Sequence, residues 1–180
     1  MSEDTQWPRF QVFVQERLGE PFLDVGSVHA PDAEMALLNA RDVFARRPEC
    51  VAMWVVPVEG IFAKTAQELH NWEGSPAVES PEKREPYYLF IKSRPAGTQT
   101  LLGQLEASSP EQALRLALEH YPDKKSAYVW WVFPARLALS SQPGDIPSLY
   151  APAGEKHFRL SSDYKTVTAM RKLREGSAEE

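Results

Sequence analysis

The stretch Gly26-Ser27-Val28-His29-Ala30-Pro31-Asp32-Ala33-Glu34-Met35-Ala36-Leu37 returns 77 positions later as Gly103-Gln104-Leu105-Glu106-Ala107-Ser108-Ser109-Pro110-Glu111-Gln112-Ala113-Leu114. Five of the twelve positions are identical, and both versions run from a strand-like segment into a helix start. A fixed period is the mark of a repeated structural unit. Extended without a gap, the same offset aligns residues 10–57 with 87–134 and gives 11 identities in 48 positions. Phe13 falls on Phe90, Ala40 on Ala117, and Trp54-Val55 on Trp131-Val132.

Each copy reads as ββαβ. Phe10–Arg17 and Tyr87–Lys92 have the aromatic and β-branched content of strands. A turn follows, at Gly19 in the first copy and Pro95-Ala96-Gly97 in the second. The next strands, about Phe22–His29 and Thr100–Glu106, each contain a glycine, Gly26 or Gly103, that marks a bulge or a close backbone approach. A helix then begins. Asp32 is the expected N-cap of the first, and Ser109-Pro110-Glu111-Gln112 is a capping box with proline at the first helical position. The helical stripe is Ala33, Ala36, Leu37, Ala40, Val43 and Phe44 in one copy, and Ala113, Leu114, Ala117 and Tyr121 in the other. The closing strands Val51–Val56 and Ala127–Phe133 are continuously apolar, which predicts burial on both faces.

The fold class is therefore α+β, mainly antiparallel sheet with helices packed on it. A unit of this size buries too little surface to be stable alone, so the two copies are expected to share a core as a fused pseudo-dimer about an approximate two-fold axis. The expected organisation is a first repeat over 1–70, a polar linker over 71–86, a second repeat over 87–139 and an irregular, basic C-terminal tail over 140–180. Ser140–Gly154 is irregular in pattern, yet Ile146, Leu149 and Tyr150 are apolar enough to pack. Lys156–Arg174 carries a net charge of +5 in a chain of net charge −5. It reads either as a solvated basic tail or as an arm for an acidic partner surface.

Composition narrows the function classes. The chain is 43% hydrophobic and 25% charged, as soluble globular domains are. The negative net charge argues against nucleic acid. No apolar run reaches the ~18 residues of a membrane span, and the polar, acidic start does not resemble a signal peptide. One cysteine, Cys50, points to no disulfide. A cytoplasmic protein is the expectation.

Templates for catalysis mostly fail. No glycine-rich phosphate loop or nucleophile elbow is present. None of His29, His70, His120 and His157 follows an acid by three residues, as a carboxylate-bridged di-iron bundle requires. One cysteine and four scattered histidines give no zinc spacing. Cys50 follows Arg46 and Arg47, whose charge would lower a thiol pKa, but no histidine is local and it reads as a buried structural residue. His29 reads as a rim residue bonded to backbone or to a partner. Trp7-Pro8 opens the first unit as an anchor for the strand or as part of a protein interface, where tryptophan is enriched. No catalytic residue, metal site or cofactor is expected.

The residues Trp7-Pro8-x-Phe10-x-Val12-Phe13-Val14, then Gly26-Ser27-Val28-His29-Ala30, Met35-Ala36-Leu37-x-Asn39-Ala40-Arg41-Asp42, Arg46-Arg47 and Trp54-Val55-Val56 resemble the B subunit of the multicomponent phenylacetyl-CoA epoxidase. The likeness spans about residues 7–64. Lys156-x-Phe158-Arg159 with Tyr164 resembles the C-terminal stretch of that family. The resemblance implies a non-catalytic structural subunit that bridges pairs formed by a di-iron catalytic subunit and a related structural subunit. A reductase completes the assembly, which forms the ring 1,2-epoxide of phenylacetyl-CoA with oxygen and NADPH. It also implies a partner interface, for which Trp7, His29, Arg41, Asp42, Arg46, Arg47, Lys156 and Arg159 are the candidates. The second copy departs from the pattern, with Leu116-Ala117-Leu118-Glu119 in place of Asn39-Ala40-Arg41-Asp42 and Glu106 in place of His29. A different class of function, a regulatory module that buries a small molecule at the seam between the copies, is also compatible with a tandem ββαβ pair.

Overall fold

The computed structural model describes residues 7–45, 50–72, 84–151 and Met170. The first copy supplies strand β1 (Arg9–Gln15), strand β2 (Leu23–His29), helix α1 (Ala33–Phe44) and strand β3 (Ala52–Pro57). The second supplies β5 (Glu85–Lys92), β6 (Thr100–Ala107), α3 (Pro110–His120) and β7 (Val129–Pro134). After each closing strand comes a single 3-10 turn, Val58–Gly60 or Ala135–Leu137, and then a short arm. The first arm is strand β4 (Phe62–Thr65) and helix α2 (Ala66–His70), and the second is strand β8 (Leu139–Ser140) and helix α4 (Ile146–Leu149).

Among the described residues, one antiparallel sheet runs in the order β4-β7-β5-β6-β2-β1-β3-β8. The order is a palindrome in repeat units. The centre is the β2–β6 junction, where Asp24 N–H donates to Gln99 O at 2.9 Å and Leu101 N–H donates to Phe22 O at 2.8 Å. These two bonds are each other's images at the offset of 77. The fused pseudo-dimer expected from the repeat is therefore the architecture, with the pseudo-two-fold axis at this junction.

The ends of the sheet show what the sequence pattern did not reveal. β4, from the first copy, pairs with β7 of the second. β8, from the second copy, pairs with β3 of the first. The short helices follow their strands. Phe62, Leu69 and Trp72 pack into the second copy's core, while Leu139, Ile146 and Leu149 pack into the first copy's. These six residues are three pairs at the same offset of 77. The two halves thus exchange arms reciprocally, as swapped protomers do. The arms cross at Gly60 and Leu137, also an offset pair, where a Cβ on residue 60 would overlap the Leu137 Cδ1.

This arrangement revises the expected boundaries. The arm Phe62–His70 follows the first repeat in sequence but completes the second. The stretch from Ser140, expected to be irregular, opens with the end of β8 and continues into a 3-10 turn and α4. Its apolar residues do pack, as their composition suggested. The linker expected over 71–86 is shorter, because Trp72 is packed and β5 starts at Glu85. Residues 73–83 of that linker, and the tail beyond Ala151 apart from Met170, lie outside the described residues.

Local signals explain the elements. Asp32 caps α1 by accepting from the Met35 N–H at 2.8 Å. Ser109 caps α3 by accepting from the Gln112 N–H at 3.2 Å, but the expected capping box is not closed. The Gln112 side chain instead accepts from Ser108, from its N–H at 2.7 Å and its hydroxyl at 2.6 Å. Both hairpins carry a bulge beside the glycine, between Val12 and Phe13 in β1 and between Leu89 and Phe90 in β5. Gly26 adopts φ +128° there, a conformation that side chains with a Cβ rarely take. A Cβ on it would also stand 3.1 Å from the Phe44 ring. The closing strands are buried on both faces, as predicted. Met53 and Val55 point to the helix side, and Trp54 and Val56 to the other. The adjacent Trp130 and Trp131 likewise part to opposite faces.

Each helix covers its own half-sheet, giving two outer cores. A third core forms on the opposite face from both copies together. Phe13 on β1 and Phe90 on β5 have ring centroids 4.3 Å apart. In a flat sheet three strand spacings, roughly 14 Å, would separate them. The sheet therefore folds over on itself at the β2–β6 junction, with the helices outside and aromatic rings between the halves.

Candidate functional site

The seam between the halves is filled. Phe133 stacks on Phe13 and on Phe90 with 5.6 Å between centroids. Phe22 stacks on Trp54 at 3.8 Å, and Trp54 meets Tyr88 at 4.4 Å. A ligand at this seam would have to displace packed rings. A polar cluster lies at its edge. Asp24 accepts from the Gln11 amide and from the Gly26 N–H at 3.1 Å. Burial holds its carboxyl above the ordinary value, against the pull of those hydrogen bonds and of Lys92.

Cys50 lies inside the first core. Burial pushes its thiol up to about 11, and its Sγ donates to the Ala52 carbonyl at 3.6 Å. It is protonated at neutral pH, the opposite of what a nucleophile needs. Among the described residues, no group of three His, Cys, Asp or Glu stands together as a metal site. No helix among them is long and apolar enough to cross a membrane.

The remaining chemistry is on the outside of the first repeat. The Pro8 carbonyl accepts from Ala30 N–H at 3.1 Å, so the backbone here ties the start of β1 to the end of β2. The Trp7 indole is not used for that anchor and is 60% exposed. The Trp7 carbonyl lies 2.8 Å from His29 Nδ1, and Asn39 on α1 donates its amide to the His29 carbonyl at 3.3 Å. The structure thus brings Trp7 and His29 together and links them to α1. Arg41 donates from Nε at 3.0 Å and from Nη2 at 2.7 Å to Asp42 Oδ1. Such a surface pair contributes little to stability and leaves a fixed, polarised group on the surface. Arg46, Arg47, Lys156 and Arg159 lie outside the described residues.

Two residues that sequence reasoning missed complete this surface. Met35 and Leu38 lie on the outer side of α1 and are 42% and 43% exposed. The signal was available in the offset, since Gln112 and Arg115 occupy these positions in the second copy. On the second repeat, a half-open cavity of about 400 Å³ is lined by Gln104, Leu105, Leu116, Glu119, His120 and Tyr121. Its lining is mixed, and no group in it stands out as reactive.

Comparison with known proteins gives one consistent answer. The family model described as "Phenylacetic acid degradation B" matches the chain twice, over residues 6–88 and 84–171. Among curated proteins, the B subunit of the 1,2-phenylacetyl-CoA epoxidase of Escherichia coli (strain K12) is 40% identical over 85 residues. The aligned region covers 87% of that relative but 47% of this chain, so the relative is about one repeat long. No solved structure matches.

Proposed function

We propose, since the chain belongs to the phenylacetic acid degradation B family, that it is a non-catalytic, bridging subunit of a multicomponent epoxidase acting on phenylacetyl-CoA. Its proposed partners are the di-iron catalytic subunit and the related structural subunit, with the reductase acting on the same assembly. The observation that carries this reading is the double match, one copy of the family model for each repeat. The nature of the chain's surfaces and interior supports it. The interior is occupied by side chains, the thiol is held protonated, and distinctive groups cluster on the outer face of the first repeat.

Within this reading Trp7, His29, Arg41 and Asp42 contact a partner, and so do Arg46, Arg47, Lys156 and Arg159. The chain holds other subunits in place and leaves oxygen chemistry to them. Co-expression with the catalytic and structural subunits tests it. A complex that purifies together, with epoxidation of phenylacetyl-CoA falling when this chain is omitted, is the expected result. Failure to associate, with epoxidation unchanged by omission, refutes it.

A further inference from the structure

The two repeats have the same fold, so each is a control for the other. Positions on α1 have counterparts on α3 at the offset of 77, yet their exposure differs: Met35 is exposed where Gln112 is buried. Their residues differ in kind as well. Met35 and Leu38 are large, apolar and nearly half exposed. At their counterparts, Gln112 is turned inward onto Ser108 and Arg115 is charged. Trp7, the most exposed of the chain's described tryptophans, corresponds to Arg84, and His29 corresponds to Glu106. The second repeat shows that this fold does not need an apolar ridge on its helix. Exposed apolar groups gathered on one face mark a surface that another molecule covers.

We propose that α1 of the first repeat is a single protein-docking ridge, built on Met35 and Leu38 one helical turn apart, and that α3 offers no second copy of it. The occupant is a folded protein surface, apolar at its centre and carrying Lys or Arg at its edge. The exposed carboxylate of Glu34, beside the capping Asp32 at the N-terminal end of α1, sets that complement, while Arg41 is already paired with Asp42. The proposal rests on the epoxidase reading above and adds a valency to it. A dimer of one-repeat chains presents two equal ridges by symmetry. This fused chain presents one, so through the ridge it takes up one catalytic–structural pair and spans the two subunits of that pair, in an asymmetric assembly that departs from the bridge between pairs the family resemblance implies.

The test uses the full chain and the catalytic–structural pair. Light scattering gives the stoichiometry, and titration gives the affinity. The first variant, Met35→Gln with Leu38→Arg, copies the second repeat's residues onto the first. The control, Arg115→Glu with Glu119→Arg, changes only α3. The expected result is one pair per chain, with affinity at least about tenfold weaker in the first variant and within about twofold of the parent in the control. Thermal melts of both variants near that of the parent separate lost binding from lost folding. Two pairs per chain, or affinity that ignores the α1 change, overturns the single ridge while leaving the epoxidase reading intact. Self-association of the chain alone, abolished by the same α1 change, assigns the ridge to a second copy and also overturns the proposal. No association of the unaltered chain with the pair overturns the epoxidase reading itself, and the valency with it.

Discussion

Tyr150 reaches the first core from the far end of the second repeat's arm, and replacing it by alanine tests the arm exchange directly. The side chain is 2% exposed and packs among first-repeat residues such as Cys50, Met53 and Ala40. An aromatic ring of this size buries roughly 200 Å². At about 25 cal/mol per Å², that burial is worth up to about 5 kcal/mol. Large-to-small replacements of buried aromatics cost about 3–5 kcal/mol, so Tyr150→Ala should cost that much. With a urea dependence of about 2 kcal/mol per molar, the unfolding midpoint should fall by roughly 2 M.

Tyr150→Phe is the informative partner of this variant. Cys50 and Ser141 lie beside the hydroxyl, which has no partner in hydrogen-bonding geometry among the described residues, and burial pushes its pKa up to about 12. Removing an unsatisfied buried hydroxyl is neutral or stabilising by about 1 kcal/mol, so the phenylalanine variant should hold or gain stability. Urea titration followed by circular dichroism gives both values, and hydrogen exchange locates the effect. Exchange of the arms ties the halves together, because loss of the first core also releases β4 and α2 from the second. Amides of β5 and β7 should therefore lose protection along with those of β1 and β3. A loss under about 1 kcal/mol, or loosening confined to the first half, would refute the reciprocal exchange.

Three further outcomes follow from the same geometry. Gly60→Ala should cost about 1–3 kcal/mol by overpacking at the crossing of the arms. Leu137→Ala in the same chain should recover at least about 1 kcal/mol of that loss, as a double-mutant cycle in urea would show. Burial raises the Asp24 pKa above 3.8, so at neutral pH the folded chain carries a poorly solvated charge that the unfolded chain hydrates. This cost disappears below pH 3.8, where both states are protonated, and grows as pH rises through the raised folded-state value. Asp24→Asn should therefore raise the urea midpoint at pH 7, with the gain vanishing below pH 3.8. Finally, the Cys50 thiol should react with iodoacetamide far more slowly in the native chain at pH 8 than in urea, where burial no longer holds its pKa near 11. Equal rates would place it outside the core.

Much of the candidate site could be read along the chain, and the reason is local. His29 ends a strand, Asp32 caps the next helix, and Arg41 and Asp42 follow on it. Each of those positions is set by hydrogen bonds spanning a few residues. The exposure of Met35 and Leu38 could not be read in this way. The helical stripe left both off the inward face, and the offset paired them with Gln112 and Arg115, but how far each stands exposed depends on the packing of α1 on β2 and β3. The Ser109 capping box failed for a related reason. Ser108 offers the Gln112 side chain two donors, and no spacing rule ranks those against the cap's own N–H.

By itself the sequence determined that two like ββαβ units stand in tandem, because periodic apolar residues and caps act within each unit. It also determined that each closing strand is buried on both faces and that the units must share an interior. Which half receives each arm was decided only by tertiary structure. Residues 62–72 and 139–149 have the same apolar pattern whether they fold back on their own unit or cross to the other, so local preference cannot choose between the two. The outcome is visible only in the long-range pairing, β4 on β7 and β8 on β3, and at Gly60, where an added Cβ would meet the Leu137 side chain.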